Sequence, residues 1–160
     1  MEIQAPMNAT LASLKRSQAF ILKAFGWDAR TLARTYGSGK WTAREILGHL
    51  TDTELVFLTR LKFLLANDNP TVLPMEQDDW ARKFAYRKGD LKLMKETFGA
   101  LRGNLIALAR AATPADLARR GVHPEHADYT VKYVIDHTAE HADHHLGQLA
   151  AIKAGKTWSA

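Results

Sequence analysis

The chain has 160 residues, 46% of them hydrophobic and 24% charged, which fits one water-exposed globular domain spanning 1–160 with a sizeable core. The absence of cysteine excludes disulfides, thiolate metal ligands and a cysteine nucleophile, and it suits a reducing, cytoplasmic setting. Formal net charge is +5, but the basic residues are scattered among acids, so a solvated surface is expected rather than a nucleic-acid face.

Met1-Glu2-Ile3-Gln4 lacks a basic start followed by an apolar run, so no signal peptide is expected. The most apolar stretch, residues 55–65, is broken by Arg60 and Lys62 and is too short to span a bilayer, so no membrane association is expected. A first helix is predicted from Asn8 or Thr10 to about residue 35, with Leu11, Leu14, Ile21, Phe25 and Leu32 on one face. Gln18 shares that face and either lines a polar pocket or sits near an end open to water. Gly26 weakens the helix, and Gly37-Ser38-Gly39 stops it. The Gly-Ser-Gly-Lys run is not a phosphate loop: the glycine spacing is too short, and Trp41 follows Lys40 where Ser or Thr is needed.

Thr42 opens a second helix with a Thr-x-x-Glu capping box closed by Glu45, and Trp41 and Ile46 form a hydrophobic staple. The helix is predicted to run to about residue 66. Ile46, His49, Thr53, Val56, Phe57, Phe63 and Leu64 share one face, which turns His49 inward with Glu45 and Asp52 a turn to either side. Residues 67–88 read as irregular, with a turn at Asn67-Asp68-Asn69-Pro70 and a short helical start at Asp78-Asp79-Trp80. This segment is either the wall of a site or a plain crossover connection.

A third helix begins at Asp90. Its seam of Leu91, Met94, Phe98, Leu101, Leu105 and Leu108 reads as purely structural, with no polar residue interrupting it. Thr113-Pro114-Ala115-Asp116 starts a brief helix that Gly121 ends. Residues 122–129 read as a polar loop in which His123 and His126 are expected to be exposed. Thr130 then caps a last helix ending near Gly155. Four long amphipathic helices without strand-like alternation predict an all-α four-helix bundle with one longer crossover connection between helices two and three.

The last helix carries the chemistry. Residues 136–148 read Asp-His-Thr-Ala-Glu-His-Ala-Asp-His-His-Leu-Gly-Gln and hold four of the seven histidines. At about 100° per residue, Val134, His141, His145 and Ile152 fall on one stripe, flanked by Thr138, Gln148 and Leu149. His137 lies at its edge and His144 further round. One inward histidine is ordinarily a hydrogen-bonded core residue. Two stacked four apart each need polar partners, and a shared metal ion satisfies both. His49 is the natural third ligand. Gln148, Asp52 and Glu45 are candidates to touch a ligand histidine or a metal-bound water, although Gln148 could equally bond to backbone.

Gly48-His49-Leu50 and His141-Ala-Asp-His-His145-Leu-Gly147-Gln148, with the Gly121-Val-His-Pro-Glu125 to Tyr129-Thr130 approach, resemble the DinB-like family of metal-binding four-helix bundles, a bacillithiol-transferase-like superfamily. The resemblance covers nearly the whole chain. It implies one divalent metal ion (zinc, nickel, iron or manganese) on His49, His141 and His145, no place for His144, and pairing as a homodimer. It also implies a small-molecule substrate, since some branches are bacillithiol transferases or a mycothiol-dependent isomerase.

Three neutral imidazoles leave coordination positions open, which is the catalytic rather than the structural pattern. Two enzyme readings follow: a transferase activating a low-molecular-weight thiol, or a hydrolase activating water. Without cysteine in the chain, any thiol must come from a small molecule. No Gly-x-Ser-x-Gly nucleophile motif is present. The alternatives are a non-enzymatic metal-binding stress-response module and, from net charge alone, nucleic-acid binding.

Overall fold

The computed structural model describes residues 4–159, with side chains described from Met7 onward. The reading of Met1-Glu2-Ile3 lies outside the described residues. The elements are α1 (Gln4–Ala24), α2 (Ala29–Leu32), α3 (Ala43–Ala66), α4 (Gln77–Lys83), α5 (Leu91–Ala111), α6 (Pro114–Leu117), β1 (Arg120–His123), β2 (His126–Thr130) and α7 (Val131–Ala154).

The predicted first helix is two elements. It starts earlier than expected, at Gln4, and ends at Ala24, before Gly26. Asp28 then accepts the Thr31 amide at 2.9 Å and starts α2 afresh, because an aspartate side chain competes for the backbone donors a continuous helix would use. The capping box of α3 is formed, with the Glu45 amide donating to Thr42 Oγ1 at 3.2 Å and the Thr42 amide to Glu45 Oε2 at 2.8 Å. Thr113 and Asp116 repeat the device at α6. Gly155 ends α7 in the left-handed conformation at φ 67.

The four long helices form a bundle in which α1 and α3 each pack on both α5 and α7. Helices consecutive in the chain, α1 and α3 or α5 and α7, therefore stand diagonally. The long connection between α3 and α5 carries α4, as expected; the other two connections are also long and carry α2, and α6 with the hairpin. Among the described residues no helix is long and apolar enough to cross a membrane.

Residues 122–129, read as a loop, belong to an antiparallel hairpin in which Gly121 faces Tyr129 and His123 faces His126. The Val72 amide donates to the Val122 carbonyl and the Val122 amide to the Pro70 carbonyl, both at 2.9 Å, so the hairpin is docked onto the chain leaving α3. A Cβ at Gly121 would meet the Pro70 carbonyl at 2.5 Å, so only glycine permits this approach. Strands of four and five residues are too short to display an alternation that the sequence could reveal.

Two apolar clusters fill the bundle. One is built around Leu14, Phe57, Leu61, Leu105 and Ile135; the other around Ile21, Ile46, Leu50, Phe98 and Leu149. Polar residues interrupt the apolar packing on every long helix: Ser17 on α1, His49 and Glu54 on α3, Arg102 on α5, and His141 and His145 on α7. The expectation of an uninterrupted apolar seam on α5 is thus corrected. Arg102 is 1% exposed, and its guanidinium meets Glu54 through Nε–Oε1 at 2.8 Å and Nη2–Oε2 at 2.6 Å. The apolar spacing on α5 is satisfied without it, so an arginine beside that seam reads as solvated.

Candidate metal centre

His49 comes from the second turn of α3, and His141 and His145 from one face of α7, a neighbouring helix. The structure brings the three rings together. One ring nitrogen from each lies within 4.8 Å of the others, and His49 Nε2 is 3.0 Å from His141 Nε2. Trp41 packs on His49 with ring centres 4.9 Å apart, and Phe57 presents its edge to His141 at 5.5 Å.

This apolar burial holds the imidazoles neutral. Desolvation, with His145 adding like-charge repulsion, brings His49 down to about 3. Burial brings His145 down to about 4, opposed by the hydrogen bond that its ring donates to Gln148. His141 also lies well below its ordinary value, mainly through burial. Neutral rings offer lone pairs. Two such nitrogens at 3.0 Å can share at most one proton, and His49 Nδ1 is buried without a hydrogen-bond partner. A cation between the three nitrogens uses those lone pairs at once, so the donor set fits a divalent metal ion.

The orientation of His145 is fixed from behind. Its Nδ1–H donates to Gln148 Oε1 at 2.7 Å, which leaves the lone pair on Nε2. The Gln148 amide nitrogen in turn donates to His144 Nε2 at 3.1 Å. His144 meets Trp158 edge-on at 4.7 Å, and the Trp158 amide donates to the Tyr36 carbonyl at 3.1 Å. The indole lies where a Cβ on Gly147 would stand, 2.6 Å from Trp158 Nε1, so glycine lets the C-terminal tail close over α7. Nothing in the helical pattern announces this tail.

Of the three residues expected near a ligand histidine, only Gln148 touches one. Asp52 accepts from the Tyr86 hydroxyl at 2.6 Å, and burial pushes both groups upward. Glu45 is used by its capping box and by Arg87, whose Nε lies 2.8 Å from Oε1. Gln18 donates to the Gly99 carbonyl at 3.3 Å, away from the histidines.

The expectation for His123 is also corrected. It is 8% exposed, because the hairpin folds it onto Tyr129 with ring centres 4.7 Å apart. Burial, and then Arg60, lowers its proton affinity. His126 stays at the surface and approaches the Tyr133 hydroxyl at 3.3 Å. His123, Glu125 and His126 form a second group whose donor atoms lie within 4.8 Å of one another. His137, half-buried and stacked on Tyr133 at 5.4 Å, stands between this group and the triad.

Two cavities reach the triad. One of about 170 Å³ runs from His49 and His141 past His137 to His123, Glu125 and Arg60. The other, about 500 Å³, lies between Lys40, Trp41, His144, His145 and Gln148. Met75, Gln77 and Asp78 complete their walls, so the irregular segment after α3 is both a connection and part of the site.

A diagonally connected four-helix bundle with three inward histidines on two neighbouring helices defines the class. The chain belongs to the DinB superfamily, whose family model matches residues 13–149. It is 29% identical over 127 residues to "Putative metal-dependent hydrolase OB0782" of Oceanobacillus iheyensis, covering 79% of this chain and 73% of the relative. It is 27% identical over 129 residues to "Putative metal-dependent hydrolase YfiT" of Bacillus subtilis, covering 78% and 70%. The solved structure of B. subtilis YfiT, described as a probable metal-dependent hydrolase with an unusual four-helix bundle topology, superposes with a TM-score of 0.84 at 21% identity, covering 94% of this chain and 89% of YfiT. That likeness shows the shared fold.

Proposed function

We propose that the chain is a divalent-metal-dependent enzyme that holds its ion on His49, His141 and His145 and readies a small nucleophile there, water in a hydrolase or a small-molecule thiol in a transferase. The carrying observation is that the three ring nitrogens converge within 4.8 Å at a point that two cavities reach. A structural site would be closed by a fourth protein ligand. When bound, a divalent ion at these nitrogens acts as a Lewis acid and makes water or a thiol a stronger nucleophile near neutral pH.

The chain's own residues supply the rest. Gln148 fixes the tautomer of His145, while Trp41 and Phe57 cover the apolar side of the rings and keep water to the cavities. The names of the relatives favour hydrolysis; the missing cysteine requires that a thiol, if used, arrive as a second small molecule. The open cavities favour an enzyme over a metal-stabilised binding module.

The test loads the protein separately with zinc, nickel, iron(II) or manganese. Each form is screened against ester, amide and lactone substrates and against electrophiles with several thiols. Turnover that chelator and His49→Ala both abolish is expected. Stoichiometric metal with no turnover across the panel would favour the binding module instead.

A further inference from the structure

We propose that the cavity between the hairpin and the triad carries an oxyanion subsite, built from Arg60 and His123, that takes the acid group of a substrate whose apolar part lies in the adjoining groove. Arg60 is 9% exposed. Its Nη1 donates to the Tyr129 hydroxyl at 3.2 Å and its Nη2 to the Leu73 carbonyl, while Nε is buried with no partner. No carboxylate pairs with it among the described residues, in contrast to Arg102 and its bidentate Glu54. A buried guanidinium held only by neutral oxygens leaves its charge uncompensated, which is costly unless an anion arrives.

His123 supplies the second donor. Its Nδ1 accepts the Glu125 amide at 3.1 Å, so the neutral ring carries its proton on Nε2. That N–H has no acceptor among the described residues, and His123 lines the cavity together with Arg60, His49 and His141. The same tautomer disfavours a second metal here, because the nitrogen left for an ion is the protonated one. The Glu125 carboxylate belongs to an exposed residue, where water and salt screen it.

Arg60 also lines a groove of about 460 Å³ whose other walls include Val56, Phe63, Leu73, Met75 and Trp80. Its guanidinium thus stands where the histidine cavity and the apolar groove meet. The occupant that satisfies both is a small molecule with a carboxylate-type head and an aliphatic or aryl body. Calling it a substrate rests on the enzyme reading above; its binding does not, and is measured without metal.

The probe is decanoate, compared with decanol and decyltrimethylammonium, titrated calorimetrically into the full chain in zinc-loaded and chelator-treated forms. Decanoate is expected to bind in both forms, tighter than decanol by about 10-fold or more, as befits a charged hydrogen-bonded head. Arg60→Gln is expected to lose that advantage and Arg60→Lys to recover part of it. His123→Phe keeps the stack on Tyr129 but removes the donor, and Phe63→Asp charges an exposed part of the groove; both are expected to weaken decanoate with zinc stoichiometry unchanged. Four outcomes would overturn the subsite: decanol binding as well as decanoate; decanoate binding that needs zinc and vanishes in His145→Ala; a second zinc equivalent that displaces decanoate; or self-association that occludes the groove. Loss of zinc binding with decanoate binding retained would instead count against the metal reading alone.

Discussion

The polar layer across the middle of the bundle has two halves, and they are built on opposite plans. On the α1 and α5 side, Arg102 is fully buried and every direction is answered from within: Glu54 takes two donors, and Ser17 Oγ at 2.9 Å and the Leu14 carbonyl at 3.2 Å take Nη1. On the α7 side, His49 and His145 are buried and His141 half-buried, all three held neutral, with nitrogens facing one another and His49 Nδ1 unanswered. Helix α3 serves both, giving Glu54 to one half and His49 to the other. The closed half specifies how the helices pack. The open half has bonding capacity that only something from outside the chain can use.

The largest expected effect falls on the closed half. Glu54→Ala leaves the Arg102 charge buried and unpaired, which costs about 3–5 kcal/mol, whereas replacing both partners with apolar residues recovers most of it. Urea unfolding measures this. His49→Ala should cost the metal-free protein clearly less; an equal cost would erase the distinction between the halves. Next comes metal. Zinc held free at about 100 times its dissociation constant should add about 2.7 kcal/mol to the unfolding free energy of the wild type and almost nothing to that of His141→Ala, read from melts with and without the ion.

A smaller effect concerns the support of His145. Gln148→Leu should weaken metal binding by about 10- to 100-fold, with His144→Ala, one hydrogen bond further out, weakening it less. Competition with a chromogenic chelator separates the two. Acid acts on the open half. The folded values of His49 and His145, about 3 and about 4, lie below the ordinary 6.5, so the unfolded chain takes up protons first as pH falls. Their contribution is fully present above pH 6.5 and is lost progressively toward pH 3–4. Chelated protein should lose roughly 1 kcal/mol per histidine between about pH 6.5 and 5.5, and zinc-loaded protein less, because bound metal competes with protons. A flat stability profile over that range would mean the rings are not buried neutral. The smallest effect is Asp52→Asn, which touches Tyr86 rather than a histidine and should leave metal affinity unchanged.

The helical phase that turns His49, His141 and His145 inward was legible because each sits in a long helix whose apolar neighbours define the face. The capping box at Thr42 and Glu45 was legible because its pattern is local, and Thr113-Pro114 marked the start of α6 without announcing the box that Asp116 closes. Arg102 was not: a long basic side chain beside an apolar seam is normally solvated, and only the packing of α5 against α3, which lets Glu54 reach it, shows otherwise. Arg60 and His123 were hidden for a related reason. Their burial depends on a hairpin docked by Val72 and Val122, and such pairing between distant segments leaves no periodic trace. Glu45 and Asp52 sat at the correct helical spacing from His49, but spacing carries no information about Arg87 and Tyr86, which occupy them.

A metal centre in the open half must rest on three imidazoles. X-ray absorption at the zinc edge of the singly loaded protein tests it most directly. Three imidazole nitrogens at about 2.0–2.1 Å completed by light-atom ligands are expected, in a spectrum that His144→Ala preserves and His49→Ala changes. A zinc spectrum untouched by His49→Ala but altered by His123→Phe would place the ion at the hairpin and contradict it.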